Sequence, residues 1–315
     1  MKYLLPLLVL YFLLGCKNQE KEVTAAKPAM VWKQNYEAIG LLGDTLSSKP
    51  ATNEMVEKYE AKRKALEENP SLDNTIWVGR FIAYLGKYRE AIQYYSDALE
   101  KFPNESRLLR HRGHRYISVR EFEKAIDDLS KAAHLIEGKE NMVEEDGLPN
   151  AHNIPVSSMH GNIYYHLGLA YYLNRDMPKA LEYFKKCLET SQNPDNVVSA
   201  THWIYMIQRR MGRATAGDSY LAKITSEMTV IENTAYHQAC LFYKNELNEA
   251  ELYQPESLDN PTNSALKYAI GNWYFYNGNT EKAKLIFEEI MAGDDWASFG
   301  YIAAETDLAK PYSFR

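Results

Sequence analysis

Residues 79–98 read Gly79-Arg80-Phe81-Ile82-Ala83-Tyr84-Leu85-Gly86-Lys87-Tyr88-Arg89-Glu90-Ala91-Ile92-Gln93-Tyr94-Tyr95-Ser96-Asp97-Ala98. Their skeleton of Gly79, Ala91 and Ala98 returns 34 residues later as Gly113, Ala125 and Ala132. It returns again as Gly168, Ala180 and Cys187, and as Gly271, Ala283 and Ile290. In each copy the glycine precedes the first small residue by 12, and a bulky residue follows that small residue by four: Tyr95, Leu129, Phe184 and Phe287. A period of about 34 marks an array of helix–turn–helix units. Two antiparallel helices approach closely only where neither carries a large side chain, so small residues fall at the crossing and bulky ones pack around it. Leu85-Gly86-Lys87-Tyr88, Asn174-Arg175-Asp176-Met177 and Asn277-Gly278-Asn279-Thr280 read as the turns, with Gly or Asn supplying a positive φ. Pro103 and Pro194 mark the ends of second helices. The expected fold is all-α, a solenoid.

Leu85 to Ile92, ending in Ala98-Leu99 and Pro103, resembles a tetratricopeptide repeat. Tyr164 to Tyr171 with Ala180, Phe184 and Cys187 resembles it too. The resemblance divides the chain into repeats 1 and 2 over 71–137, a third over 161–194 and another over 264–293. Degenerate helical repeats are expected over 195–263, N-terminal capping helices over 31–70 and a C-terminal capping helix over 294–315. Within the N-terminal cap, 31–48 and 53–68 read as two helices, the second carrying Val56, Tyr59 and Leu66 at helical spacing.

The N-terminus carries a different signal. Lys2, the apolar run from Tyr3 to Leu14 and the sequence Leu13-Leu14-Gly15-Cys16 resemble a bacterial lipoprotein signal peptide with its lipobox. The resemblance implies removal of residues 1–15 and acylation of Cys16, which would place the protein in the bacterial cell envelope, on the outer membrane, facing the periplasm or the surface. Residues 16–30 are polar and read as a flexible tether. With Cys16 acylated, Cys187 and Cys240 remain, and their spacing alone leaves open whether they pair.

Segment 138–160 interrupts the array. It holds Gly147, Pro149 and Pro155, and Glu140, Glu144, Glu145 and Asp146 against Lys139 leave it near −3. A loop of this length inside a compact array is uncommon and often functional. The acidic run before Gly147 lacks the alternating spacing of a calcium loop.

No phosphate-binding glycine loop or nucleophile elbow is present, so no enzymatic activity and no cofactor are expected. His111 and His114 form a His-x-x-His pair without a third ligand, so no metal is expected. A net charge of −6 argues against nucleic acid. The tyrosines, such as Tyr95, Tyr116, Tyr171 and Tyr274, read mostly as packing residues.

In the resembled family the first helix of each unit lines a concave face that holds extended peptides. The lining positions here are Arg80, then Arg107, Arg110 and His114, then Asn162 and Tyr165. Arg107, Arg110 and His114 share one helix face. Arginine binds carboxylates with two hydrogen bonds at once, so an acidic protein or peptide suits this cluster. The family's usual Lys and Asn carboxylate clamp is not reproduced, and the arginines have a second use: they can pair with the acidic insert. The expected function is a lipid-anchored scaffold that binds a protein or peptide in its concave groove. The alternatives are a structural part of an envelope or uptake complex without a groove, or an enzyme with an unrecognised site.

Overall fold

The computed structural model describes residues 36–252 and 262–310. The signal peptide, Cys16, the tether and residues 31–35 of the expected N-terminal cap lie outside the described residues.

The first element among the described residues is a hairpin, β1 (Ala38–Ile39) and β2 (Thr45–Leu46), paired antiparallel with Ala38 opposite Leu46. This corrects the helix expected over 31–48. Two glycines and an aspartate fall within Gly40-Leu41-Leu42-Gly43-Asp44, and Gly43 takes a φ of 99° to make the turn. Ala38 and Leu46 point into the core. Helix α1 (Asn53–Glu68) follows, capped by the Thr52 hydroxyl on the Met55 amide. It is a covering helix: none of its residues is buried, and Tyr59 and Leu66 rest against the core while Val56 faces solvent.

The repeats are pairs of antiparallel helices. The first is α2 (Leu72–Tyr84) with α3 (Tyr88–Lys101), and the second is α4 (Ser106–Ser118) with α5 (Phe122–Leu135). The third is α6 (Met159–Leu173) with α7 (Met177–Glu189). The degenerate region forms α8 (Pro194–Arg210), the short α9 (Asp218–Leu221), α10 (Thr234–Tyr243) and the short α11 (Glu249–Leu252). Helices α12 (Thr262–Tyr276) and α13 (Thr280–Met291) form the last pair, and α14 (Phe299–Ala309) ends the fold.

The repeat pattern maps directly onto the helix crossings. A Cβ on Gly113 would lie 2.7 Å from Leu129, and one on Gly168 would lie 2.9 Å from Phe184. The three atoms nearest that position on Gly113 all belong to Leu129, so the glycine makes room for the bulky residue of the second helix. Ala125 is fully buried beside it.

The turns between paired helices share one left-handed residue: Gly86 (φ 77°), Arg120 (φ 66°), Arg175 (φ 70°) and Gly278 (φ 88°). In the third turn the left-handed residue is thus Arg175, not the neighbouring Asn174. A non-glycine residue there costs about 1–2 kcal/mol. Both turn arginines are held by α14. Arg120 donates from Nε to Glu305 Oε2 at 2.8 Å and from Nη2 to the Trp296 carbonyl at 2.8 Å. Arg175 pairs with Asp307 at 2.8 Å and donates to the carbonyls of Thr306 and Lys310, which end the helix. Arg210, at the end of α8, also clamps Asp307. The N-terminal hairpin completes the closure: the Leu41 amide donates to Glu305, and Trp296 donates its indole N–H to the Ser47 carbonyl. The C-terminal helix therefore packs inside the curve of the array and ties its two ends together.

Candidate functional site

The first helices α2, α4 and α6 line the inner face, and the insert crosses it. The insert leaves α5 through Gly138 (φ 71°) and returns at Ser158, the cap of α6. It has an ordered backbone. Val143 bridges to Ser158, the Glu144 amide donates to the Ser157 carbonyl at 3.0 Å, and the Met159 amide donates to the Met142 carbonyl at 2.8 Å. Asn150 holds the tip by accepting from the amides of His152 and Ile154. Asn193 and Asn196 donate to the Val156 carbonyl and pin the return. Residues 142–145 are thus an extended segment laid over the helices.

That segment places Glu144 among two arginines and a histidine. Its Oε1 lies 3.3 Å from Arg110 Nη1, 3.4 Å from His111 Nε2 and 3.9 Å from Arg80 Nη1. Its Oε2 accepts from Asn162 Nδ2 at 2.8 Å. Arg80 also donates to the Glu145 carbonyl at 2.8 Å and lies over the Trp77 ring, which Lys62 approaches as well. His111 has a defined tautomer. Arg110 can only donate, so His111 Nδ1 accepts from it at 2.7 Å and the ring proton sits on Nε2, towards Glu144. Burial, then the Arg110 charge, holds the His111 pKa well below the usual histidine value, and the ring is neutral. Burial also lowers the Arg110 pKa, partly countered by Glu144.

The fit is incomplete. Glu144 Oε1 is buried and close to three nitrogens, yet none is aligned as a hydrogen bond. Arg110 Nε is also buried without a partner. Beside the segment lies a cavity of about 280 Å³, lined by Ile76, Trp77, Arg107, Met142 and Met159.

The sequence-predicted residues separate into three groups. Arg80, Arg110 and Asn162 converge on Glu144. Arg107 stands at the rim of the cavity and is turned to Asp73 at 2.6 Å and Glu105 at 3.2 Å. His114 and Tyr165 lie deeper. His114 packs on His166 and Phe299, and Tyr165 accepts from Trp203 and shares a hydrogen bond with Tyr236. With Phe299 of α14 they form the floor of the inner face. Tyr165 also borders a second cavity of about 290 Å³ with Asn162, His166, Asn196 and Tyr236. Sequence reading placed His111 only in a metal pair, and it missed Glu144 and Trp77 as individual site residues. The signal for Glu144 was its place in the acidic insert.

A larger cavity of about 890 Å³ lies at the seam between the hairpin segment and the last repeat, beside Tyr88 and Trp296. Its lysines are already paired at its edge, Lys49 with Asp294 and Lys267 with Glu289. The smaller site carries the buried, incompletely paired groups and is the better candidate. Cys187 and Cys240 are both buried free thiols, and burial pushes the Cys187 thiol up to about 12. Among the described residues no group of three or more His, Cys, Asp or Glu is placed to hold a metal ion, and no helix is long and apolar enough to cross a membrane.

Residues 79–105 and 161–194 match models of the tetratricopeptide repeat. BBSome complex member BBS4 of Bos taurus is 28% identical over 134 residues, which are 42% of this chain and 22% of that protein. Among solved structures, YrrB, described as a TPR protein with an unusual peptide-binding site, is similar at 19% identity over 74% of this chain and 92% of its own, with a TM-score of 0.41. A tetratricopeptide repeat protein from Parabacteroides merdae is similar at 16% identity over 79% of this chain and 92% of its own, with a TM-score of 0.44. The chain carries tetratricopeptide repeats within an all-α solenoid.

Proposed function

We propose that this protein is a lipid-anchored scaffold of the bacterial cell envelope that holds a protein partner on its concave face. Tetratricopeptide repeats generally serve protein–protein interaction, and the repeats here supply the surface. The observation that carries the reading is the seat of Glu144. The inner face builds a pocket from Arg80, Arg110 and His111, and the chain fills it with a carboxylate borne on a loop rather than on a packed helix. A core ion pair needs no such loop. A loop-borne carboxylate can be replaced by one from a partner, so the pocket suits an acidic protein segment.

The anchor rests on the lipobox resemblance at Cys16. Cys16→Ser is expected to leave an unprocessed precursor or a soluble protein; processing and membrane fractionation unchanged from wild type would end that part of the proposal. The scaffold role is tested by mild cross-linking in the source envelope followed by pull-down of the full chain. A stoichiometric protein partner is expected, and recovery of the protein alone would contradict the reading.

A further inference from the structure

Residues 142–145 show more than where a carboxylate sits. They show the backbone direction, the pairing and the side-chain order of a segment in the site. Resting on the concave-site reading above, we infer that the site takes an extended segment of a partner protein with a large apolar residue two positions before a glutamate, and that Met142–Glu145 is its tethered stand-in.

In an extended chain residues two apart share a face. Glu144 enters the pocket of Arg80, Arg110 and His111, and Met142 borders the cavity lined by Ile76, Trp77 and Met159. Met142 remains 53% exposed, so it fills that apolar space poorly, and a large apolar side chain on a segment not held at both ends by the loop can seat deeper in it. The backbone is recognised as well. The Ser157 carbonyl and the Met159 amide pair with the segment, and Arg80 donates to the carbonyl of the residue after the glutamate. These groups belong to the array and to the return of the insert, which Asn193 and Asn196 pin, so they stay in place if 142–145 swings out. A partner strand can pair with them in the same register.

The stand-in underuses the charge of the site. Arg80 and Arg110 share one carboxylate, and Arg110 Nε is buried without a partner. A partner glutamate free of the loop's constraint can meet Arg110 through two parallel hydrogen bonds, which Glu144 does not do. The loop is also built to leave. Met142, Val143, Leu148 and Ile154 all hold large apolar side chains about half exposed, so the insert buries little of its own apolar surface when closed.

The test uses the full chain with Met142-Val143-Glu144-Glu145 replaced by Gly-Ser-Gly-Ser, and a fluorescein-labelled peptide Asn-Leu-Val-Glu-Glu-Asp. Fluorescence anisotropy is expected to show saturable binding to this variant. Binding to wild type is expected to be at least about tenfold weaker, because the tethered stand-in competes at high effective concentration. A peptide with glutamine at its fourth position is expected to bind the variant at least about tenfold more weakly, since it loses the charge-assisted bonds to Arg110. If the four-residue variant does not fold, Glu144→Ala takes its place. No saturable binding, or equal binding of the glutamine peptide, overturns the inference. Pull-down of Arg110→Gln separates the two levels. If the variant ignores the peptide but the protein partner still needs Arg110, the segment rule fails and the concave site stands. If the partner is also indifferent to Arg110, both fail.

Discussion

Replacing Arg120 with alanine is expected to lower the unfolding free energy by about 3–5 kcal/mol, the cost of leaving a buried charge without its partner. Arg120 and Glu305 have side chains only 2% and 1% exposed. Removing the guanidinium strands the Glu305 carboxylate in the interior, with the Leu41 amide as its remaining donor, and frees the carbonyls of Ser118 and Trp296. The contact joins the second repeat to the C-terminal helix, so the loss falls on the closure of the whole array. Arg120→Gly gives an internal control. Glycine removes the same pair but relieves the left-handed strain, so it is expected to be about 1 kcal/mol less destabilising than alanine. Chemical denaturation measures both. A midpoint for Arg120→Ala equal to wild type would mean that the closure by α14 adds nothing to stability.

Acid is expected to destabilise the protein steeply. His111, His114 and His166 line the inner face and His202 is buried behind it. Burial lowers the pKa of all four from the ordinary 6.5, that of His202 to about 3, and Arg110 and Arg115 add to the effect at the inner face. The sign follows from the direction. With folded values below the unfolded value, the folded state binds fewer protons, so stability is full above pH 6.5 and is lost as the pH falls below it. Each such histidine contributes a slope of up to about 1.4 kcal/mol per pH unit. The melting temperature should therefore be flat above neutrality and fall progressively between pH 6.5 and 5. A melting temperature unchanged or rising over that interval would show that these rings are not held neutral.

Much of this architecture is legible in residue spacing. The glycines and the bulky residues that follow each alanine locate the crossings because steric exclusion there is local and periodic. The turns are half legible. Gly86 and Gly278 announce a left-handed residue, whereas Arg120 and Arg175 do not, because what holds them lies more than 130 residues away in α14. The hairpin at 38–46 hides behind apolar residues that suit a helix, although Gly40 and Gly43 within one turn argue against it. The position of α14 is the least visible. Its sequence suits a cap, and only the burial of Glu305, Thr306 and Asp307 beside its apolar residues shows that it is enclosed on several sides. At the site, Arg80, Arg110 and Asn162 follow from repeat register and the net charge of the insert follows from composition. Which acid enters the pocket does not, because the antiparallel pairing of 142–144 with 157–159 sets it.

Arg80 and Arg110 are proposed to hold a partner in the place Glu144 now fills. The most direct measurement is quantitative capture of the cross-linked partner by wild type and by Arg80→Gln with Arg110→Gln, each shown by circular dichroism to keep its helix content. The double variant keeps the shape of the pocket and removes its charge. Capture reduced at least about tenfold is the predicted result, from the loss of two charge-assisted contacts. Capture equal to wild type by a folded double variant would rule out this pocket as the partner's site.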